Sequence, residues 1–459
     1  MSASITQPPA TGGQTASPLT ARQPGKTLNE VRLLNWSHNS RHRICAIPTA
    51  MSRPNTLTVA QARQTILDAL QPVAGWEAVP IRNALDRVLL RDVNAPFDVP
   101  AHDNSAMAGY ALRAGDLDPG SPTTLTVVGT ALAGKPFTGT IGARQAVRIM
   151  TGAVMPHGAD TVVAQEQVRA HEAMVEVPAA IKPGHNVRHA GEDLTCGKPA
   201  LEAGKRLGPA ELGLLASLGY AEVSVRRRLR VAFFSTGDEI ATIGRPLGPG
   251  EVYDSNRYTL FGLLTRLGID LVDMGVVRDD PILIEQTFRD AAAEADVVLT
   301  SGGVSVGEAD FVKAMMTKLG QVNFWKIDIK PGRPMAFGRI GNAWLFGLPG
   351  NPVAVMVTFY QIVLDALHKL AGVSPLPAQP TFAVPCVDAI RKSPRRREFP
   401  RGRLFQAEDG AWRVRLAGNQ GSGILSSMSA ANCFIVLSED RDDVAAGDLV
   451  EVQVMTGLI

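Results

Sequence analysis

The rhythm of residues 229–372 constrains the fold most. Leu229 to Phe234 is an apolar run of strand length that ends in Ser235-Thr236-Gly237-Asp238-Glu239. Asp254 or Ser255 is placed to cap a helix that reaches Leu267 and stops at Gly268. Ile269 to Val277 reads as the next strand. Asp280-Pro281 opens another helix, since proline is tolerated in a first turn. Asp296 to Thr300 is a third strand, followed by Ser301-Gly302-Gly303-Val304-Ser305-Val306-Gly307 and a further helix. Strands near Val322 to Ile329 and Trp344 to Phe346 precede Leu348-Pro349-Gly350-Asn351-Pro352, which leads into a long helix to Leu370. Strands alternating with helices predict a doubly wound, mostly parallel α/β domain.

Ligands of such a sheet bind beyond the carboxyl ends of its strands. Three glycine-containing loops follow apolar strands, at Ser235 to Glu239, Ser301 to Asp310 and Gly347 to Pro352. They are expected to converge on one edge, either as ordinary strand-to-helix turns or as an anion cradle of backbone N–H groups. The chain has no G-x-x-x-x-G-K-[ST], no G-x-G-x-x-G in the first βα turn, no H-E-x-x-H and no G-x-S-x-G. The loops carry acids instead: Asp238, Glu239, Asp279, Asp280, Glu308 and Asp310. Hard oxygen ligands beside phosphate-cradling loops point to Mg²⁺ bridging to a phosphorylated substrate. Lys326, Lys330 and Arg333 oppose them, the last two within Lys330-Pro331-Gly332-Arg333-Pro334, where a fixed cation pair suits an oxyanion.

The rest of the chain has a different texture. Thr58 can cap a helix carrying Ala62, Ile66, Leu67 and Leu70, and a second helix is expected from Ile81 to Leu90. Short apolar runs between Thr123 and Val177 alternate with glycine-rich turns and read as a small β unit. Leu207 to Leu218 returns to helix with Gly219 as its stop. Residues 381–459 read as a C-terminal β domain that follows a proline-rich linker. Residues 395–403 hold Arg395, Arg396, Arg397, Arg401 and Arg403, either as a basic surface strand or as an anion site.

The formal net charge is +2, which gives no support to a nucleic-acid or anionic-membrane binder. The longest apolar helix candidate, Pro352 to Leu367, is interrupted by Gln361 and Asp365 and reads as too short and too polar to span a bilayer. Cys45, Cys196, Cys386 and Cys433 form no C-x-x-C, which fits a reducing compartment and a cytoplasmic location. The first fifty residues contain one acidic residue, Glu30, and read as a disordered extension or as sequence upstream of a start at Met51. An arginine-rich, acid-poor leader also fits an organelle transit peptide.

Nine segments, in order, resemble the molybdopterin molybdenumtransferases, the family of bacterial MoeA and the E domains of gephyrin and its plant counterpart. They are D-N-S-A-M at 103–107, R-I-M-T-G-A at 148–153, G-E-D at 191–193, F-S-T-G-D-E at 234–239, R-D-D-P at 278–281, S-G-G-V-S-V-G-E-A-D at 301–310, K-P-G-R-P at 330–334, G-L-P-G-N-P at 347–352 and Q-G-S at 420–422. The resemblance implies insertion of molybdate into adenylylated molybdopterin with release of AMP, Mg²⁺ dependence and a homodimer. It also implies transient contacts with the upstream adenylyltransferase and with molybdoenzyme maturation proteins. The implied domains are an N-terminal extension at 1–54, a discontinuous extended domain at 55–104 and 190–228, an inserted β domain at 105–189, a molybdopterin-binding α/β domain at 229–374 and a C-terminal β domain at 375–459.

Carried over by position, Asp193, Glu239, Asp279, Asp310, Lys326 and Lys330 are the implied catalytic residues, with Asp279 and Asp310 on the metal. Thr151, Ser301, Gly302, Gly303, Arg333, Pro349, Pro352, Arg401 and Ser422 are the implied substrate contacts. Two positions depart from the family pattern. D-N-S-A-M-D-G-Y-A has Ala108 at its second aspartate, and K-P-G-K-P has Arg333 at its second lysine. The first removes a carboxylate that could ligate metal or orient substrate. The rival readings are a catalytically weakened pterin-binding scaffold and a tungstate-handling homologue.

Overall fold

The computed structural model describes residues 56–303 and 311–455. A seven-stranded sheet forms its largest element. The strands lie in the order Thr56–Leu57, Gly320–Ile327, Pro334–Ile340, Ala343–Leu348, Val297–Ser301, Arg230–Thr236 and Asp270–Val277. The last four are mutually parallel, whereas Pro334–Ile340 runs antiparallel to both of its neighbours. Two-residue periodicity explains why the central strands are apolar throughout. Val231 and Phe233 pack with helices Val59–Ala69, Ser255–Arg266 and the 352–370 segment on one face. Ala232 and Phe234 pack with helices Pro281–Glu294 and Phe311–Leu319 on the other. A strand covered on both faces has no polar side to show.

The caps are those that the sequence offers. Thr58 and Gln61 form a reciprocal capping box. The Asp254 carboxylate accepts from Arg257 N–H, and that of Asp280 accepts from Ile282 and Leu283 N–H. The 352–370 segment, with a π-helical turn at Phe359–Val363, is long and apolar enough to cross a membrane, but it is buried in the core. Gln361 and Asp365 within it have partners: Gln361 donates to Gln453 at 2.8 Å, and Asp365 pairs with Arg63.

Strands Trp76–Pro80 and Glu222–Arg226 pair antiparallel, as do Val93–Asn94 and Pro199–Leu201, so segments far apart in sequence close one unit beneath helix Pro209–Ser217. Between them lies a six-stranded sheet in the order Thr161–Ala164, Gly109–Leu112, Gln145–Ile149, Thr123–Ala131, Met174–Val177 and Arg169–His171. A five-stranded sheet, ordered Thr381–Pro385, Leu449–Val454, Cys433–Val436, Arg401–Gln406 and Trp412–Leu416, ends the described chain. Ile329–Lys330 pairs in parallel with Arg397–Glu398, which joins the α/β body to this C-terminal sheet.

Two expectations are corrected. Residues 81–90 form a 3₁₀ turn at Ile81–Asn83 and then extended bridges, Val88 to Arg206 and Leu89 to Val225. Asp86 at φ 62° breaks any helix there, and burying both Val88 and Leu89 suits two neighbours on different faces. Thr56–Leu57 and helix Val59–Ala69 belong to the α/β body, since Val59, Ala62, Ile66 and Leu70 pack in its core, not with the extended unit.

Candidate functional site

The three loops converge as the parallel strands require. The Gly302 N–H donates to the Leu348 carbonyl at 3.2 Å, and the Ser235 and Ser301 hydroxyls lie 3.0 Å apart. Gly302 has φ +93°, and a Cβ there would sit 2.9 Å from the Thr236 carbonyl oxygen, so only glycine lets these loops meet. Beyond them opens a cleft of about 1450 Å³ between the α/β body and the C-terminal sheet. Glu239, Asp279, Gly302, Gly303, Lys330, Arg333, Pro349, Pro352, Arg401 and Ser422 all line it.

One wall is acidic. The Asp279 N–H donates to Asp238 Oδ1 at 3.2 Å. Burial, and then the charges of Asp238 and Glu239, hold the Asp279 carboxyl above its ordinary range. No ion pair involving Asp279 or Glu239 is found among the described residues. Uncompensated carboxylates of this kind fit a hard divalent cation such as Mg²⁺. No group of three His, Cys, Asp or Glu side chains able to cage a metal occurs among the described residues, so a cation held here would draw its remaining ligands from substrate oxygens or water.

The other wall is cationic. Lys330 Nζ lies 3.2 Å from the buried Glu398 carboxylate and donates to Ser393 Oγ at 3.0 Å. Arg401 is 1% exposed. Its Nε donates to Ser427 Oγ at 3.1 Å, and the guanidinium also donates to the Asn419 and Gly421 carbonyls. Burial without a carboxylate beside it brings this guanidinium down to about 10. Ser422 Oγ accepts from Asn351 Nδ2 at 3.0 Å, and its carbonyl accepts from Val353 N–H at the start of helix Pro352–Thr358. The cleft thus gathers carboxylates and fixed cations around glycine-rich backbone, an arrangement suited to a phosphorylated ligand and an oxyanion.

Not every carried-over residue lies here. Asp310 falls outside the described residues, as does Glu308. Ser301 is buried beneath the loops, hydrogen-bonded to Ser235. Lys326 is exposed on strand Gly320–Ile327 and does not line the cleft. Thr151 and Asp193 form part of a second gathering, at the seam of the six-stranded sheet. There Asn104–Ser105 pairs with Val187–Arg188, Ser105 N–H donates to the Ala153 carbonyl and Gly152 N–H to that of Ser105. Asp193 N–H donates to the Val99 carbonyl. Asp103 accepts from Ala190 N–H at 2.8 Å and pairs with His189 at 3.2 Å; these hydrogen bonds hold its carboxyl below the ordinary range. Within segment 103–107, Asn104–Ser105 is a short strand, and the Ser105 hydroxyl donates to the Met107 carbonyl at 2.6 Å.

Cleft residues that the sequence did not single out are Asn256, Arg391 and Glu398; Asp254 reads there only as a cap, and Arg396 and Gln420 only as members of a run and a motif. Asp254 is buried, accepting from Ser235 Oγ at 3.0 Å, and Asn256 donates to the Gly350 carbonyl at 2.7 Å. The arginine-rich run was the one available signal for Arg396.

The chain matches three known regions in order: the MoeA N-terminal region (domains I and II) over residues 57–219, the probable molybdopterin-binding domain over 232–369 and the MoeA C-terminal region (domain IV) over 383–455. It is 44% identical to the molybdopterin molybdenumtransferase of Haemophilus influenzae across 88% of this chain and 100% of that protein. It is 37% identical to that of a Nostoc species, across 86% and 92%. The crystal structure of the molybdopterin biosynthesis MoeA protein from Pyrococcus horikoshii superimposes with a TM-score of 0.75 at 30% identity, covering 87% of this chain and 100% of that one. With three MoeA regions in order and a full-length relative at this identity, the chain belongs to the molybdopterin molybdenumtransferase (MoeA) family.

Proposed function

We propose that the cleft inserts molybdate into adenylylated molybdopterin and releases AMP, the activity that the family's name carries. One observation supports the reading most: Glu239 and Asp279 line a single cleft with Lys330, Arg333 and Arg401, beside the glycine loops at the carboxyl ends of the parallel strands. The glycine-rich backbone at 302–303 and 349–352 would receive phosphate oxygens, and the cationic wall would hold the molybdate dianion. Mg²⁺ held by Asp279 would supply charge neutralisation at the phosphate linkage, and the family resemblance adds Asp310 as a second ligand. Glu398 holds Lys330 Nζ at the cleft wall until an anionic ligand competes for it. The test is AMP release from adenylylated pterin on adding molybdate, repeated with tungstate. Tight pterin binding without release would favour the scaffold reading.

Asp279→Asn is expected to raise the Mg²⁺ concentration for half-maximal AMP release by about tenfold or more, because the metal loses a formal negative charge. A Mg²⁺ titration matching the natural chain would remove Asp279 from the metal.

We further propose a homodimer. Thr151 and Asp193 lie in the seam gathering, not in the cleft, so a second copy bringing its seam to this cleft would unite these two with the carried-over residues that line it. Free cysteines, including exposed Cys196, support a cytoplasmic location.

Ala108 bears on the rate. It immediately precedes strand Gly109–Leu112 of the six-stranded sheet, and its carbonyl accepts from Gln165 N–H. Asp103 is already committed to Ala190 and His189 and so is a poor substitute for the missing carboxylate. Ala108→Asp is expected to speed single-turnover AMP release by about tenfold, the equivalent of about 1.4 kcal/mol in the transition state, with pterin affinity changing less. An unchanged rate would mean that this position does not limit the reaction.

A further inference from the structure

We propose that the junction between the discontinuous unit and the α/β body binds one small inorganic anion, separately from the substrate cleft. A cavity of about 50 Å³ lies where the chain leaves strand Glu222–Arg226 for strand Arg230–Thr236. Arg87, Arg206, Arg226, Arg227, Arg228 and His368 line it, and Asp86 is the only carboxylate in the lining.

Most of these cations are already satisfied. Arg87 pairs with Glu77 and Arg206 with Asp86, both at 3.1 Å. Arg227 pairs with Asp296 at 2.7 Å, and Arg228 donates to the Gly268 carbonyl. Arg226 and His368 differ. Among the described residues Arg226 has no carboxylate at ion-pair distance, and its Nε is buried without a hydrogen-bond partner. His368 is 8% exposed, and neither ring nitrogen has a partner. Asp365, the nearest acid on the same helix, is taken by Arg63.

Glycine fixes the geometry. Gly372 has φ +84°, and a Cβ there would lie 2.2 Å from Arg226 Cδ and Nε. Only a residue without a side chain lets the turn after helix Leu364–Leu370 close over this arginine. The arginine is thus held in place beneath the turn that carries His368.

Buried donors without acceptors are unfavourable, and uncompensated positive charge adds to the penalty. A water molecule would answer the hydrogen bonds but not the charge. An anion answers both, accepting from Arg226 Nε and from the His368 ring N–H. The cavity is far too small for a nucleotide or pterin, so the ligand is a halide or a single tetrahedral oxyanion. Arg226 comes from the discontinuous unit and His368 from the α/β body, so an anion held by both would fasten the two.

The test uses the full chain in halide- and oxyanion-free buffer. Sodium bromide or sodium sulfate is added against sodium gluconate of equal ionic strength, gluconate being too large for the cavity. One of the two small anions is expected to raise Tm saturably by about 3 °C or more, while Arg226→Met and His368→Phe each abolish the rise. Whichever salt acts distinguishes a halide from an oxyanion site. In bromide-soaked crystals of a halide site, or sulfate-soaked crystals of an oxyanion site, the ion should lie within hydrogen-bond distance of Arg226 Nε. Water alone in the cavity of both soaked crystals overturns the proposal. So does a Tm rise that is linear in salt and equal in the natural chain and both variants. The crystallographic arm needs no variant, so it stands even if Arg226→Met fails to fold.

Discussion

Arg401→Met is expected to slow AMP release by about a hundredfold to a thousandfold, the usual cost of removing one preorganised charged donor, without loosening the fold. The two halves of this result come from one fact. Arg401 is buried with no carboxylate beside it, and its guanidinium is brought down to about 10. The ordinary arginine value lies higher, so the folded state releases the proton more readily than the unfolded chain, and the charge is a cost to stability at every pH below about 10. Methionine removes that cost. The carbonyls it leaves belong to exposed Asn419 and Gly421, which water can satisfy. Tm at pH 7 should therefore be unchanged or higher, and the variant's advantage should shrink as pH rises past about 10. Arg401→Lys keeps the charge but loses the planar fork, and should fall between the two in rate. Full activity in Arg401→Met would show that this cation does not serve the reaction. A large drop in Tm would show that its bonds to 419–427 hold the C-terminal sheet.

Much of this arrangement is legible in the sequence because local chemistry and long-range packing agree. Thr58, Asp254 and Asp280 announce helix starts, and each is a cap in the structure. The unbroken apolar run 231–234 announces a strand covered on both faces, and Val231 and Ala232 do face opposite layers. Glycine loops at the ends of parallel strands announce a cleft, and Gly302 meets Leu348 there. Where the reading fails, the deciding contact is distant in sequence. Residues 81–90 look helical alone, but Leu89 is claimed by Val225 and Arg87 by Glu77 and the Arg226 carbonyl. Glu398 looks like a solvated acid amid arginines, until Ile329–Lys330 pairs with its strand and buries it against Lys330. Family position marks Thr151 and Asp193 as site residues, yet sequence order contains no distance. Only the fold separates them from Asp279 and Arg401.

That separation leads to the second large effect. At limiting Mg²⁺, Asp193→Asn and Asp279→Asn are each expected to abolish most AMP release alone, yet to restore one another when co-expressed. In a two-fold dimer whose clefts each borrow the seam of the other copy, a mixed dimer has one cleft with Asp279 facing a seam with Asp193, and a second site lacking both. Random assortment at equal expression makes half the dimers mixed, so AMP release should recover to about a quarter of the natural level. The converse experiment sharpens the reading. A chain carrying both substitutions, mixed equally with the natural chain, should also leave about a quarter, where independent subunits would leave about half. The double variant poisons its partner by offering neither a working cleft nor a working seam. Absence of recovery in the first mixture, together with about half activity in the second, would place every group the reaction needs within one chain. Thr151 and Asp193 would then serve the seam itself, where backbone hydrogen bonds already hold the 99–105, 151–155 and 189–194 segments together.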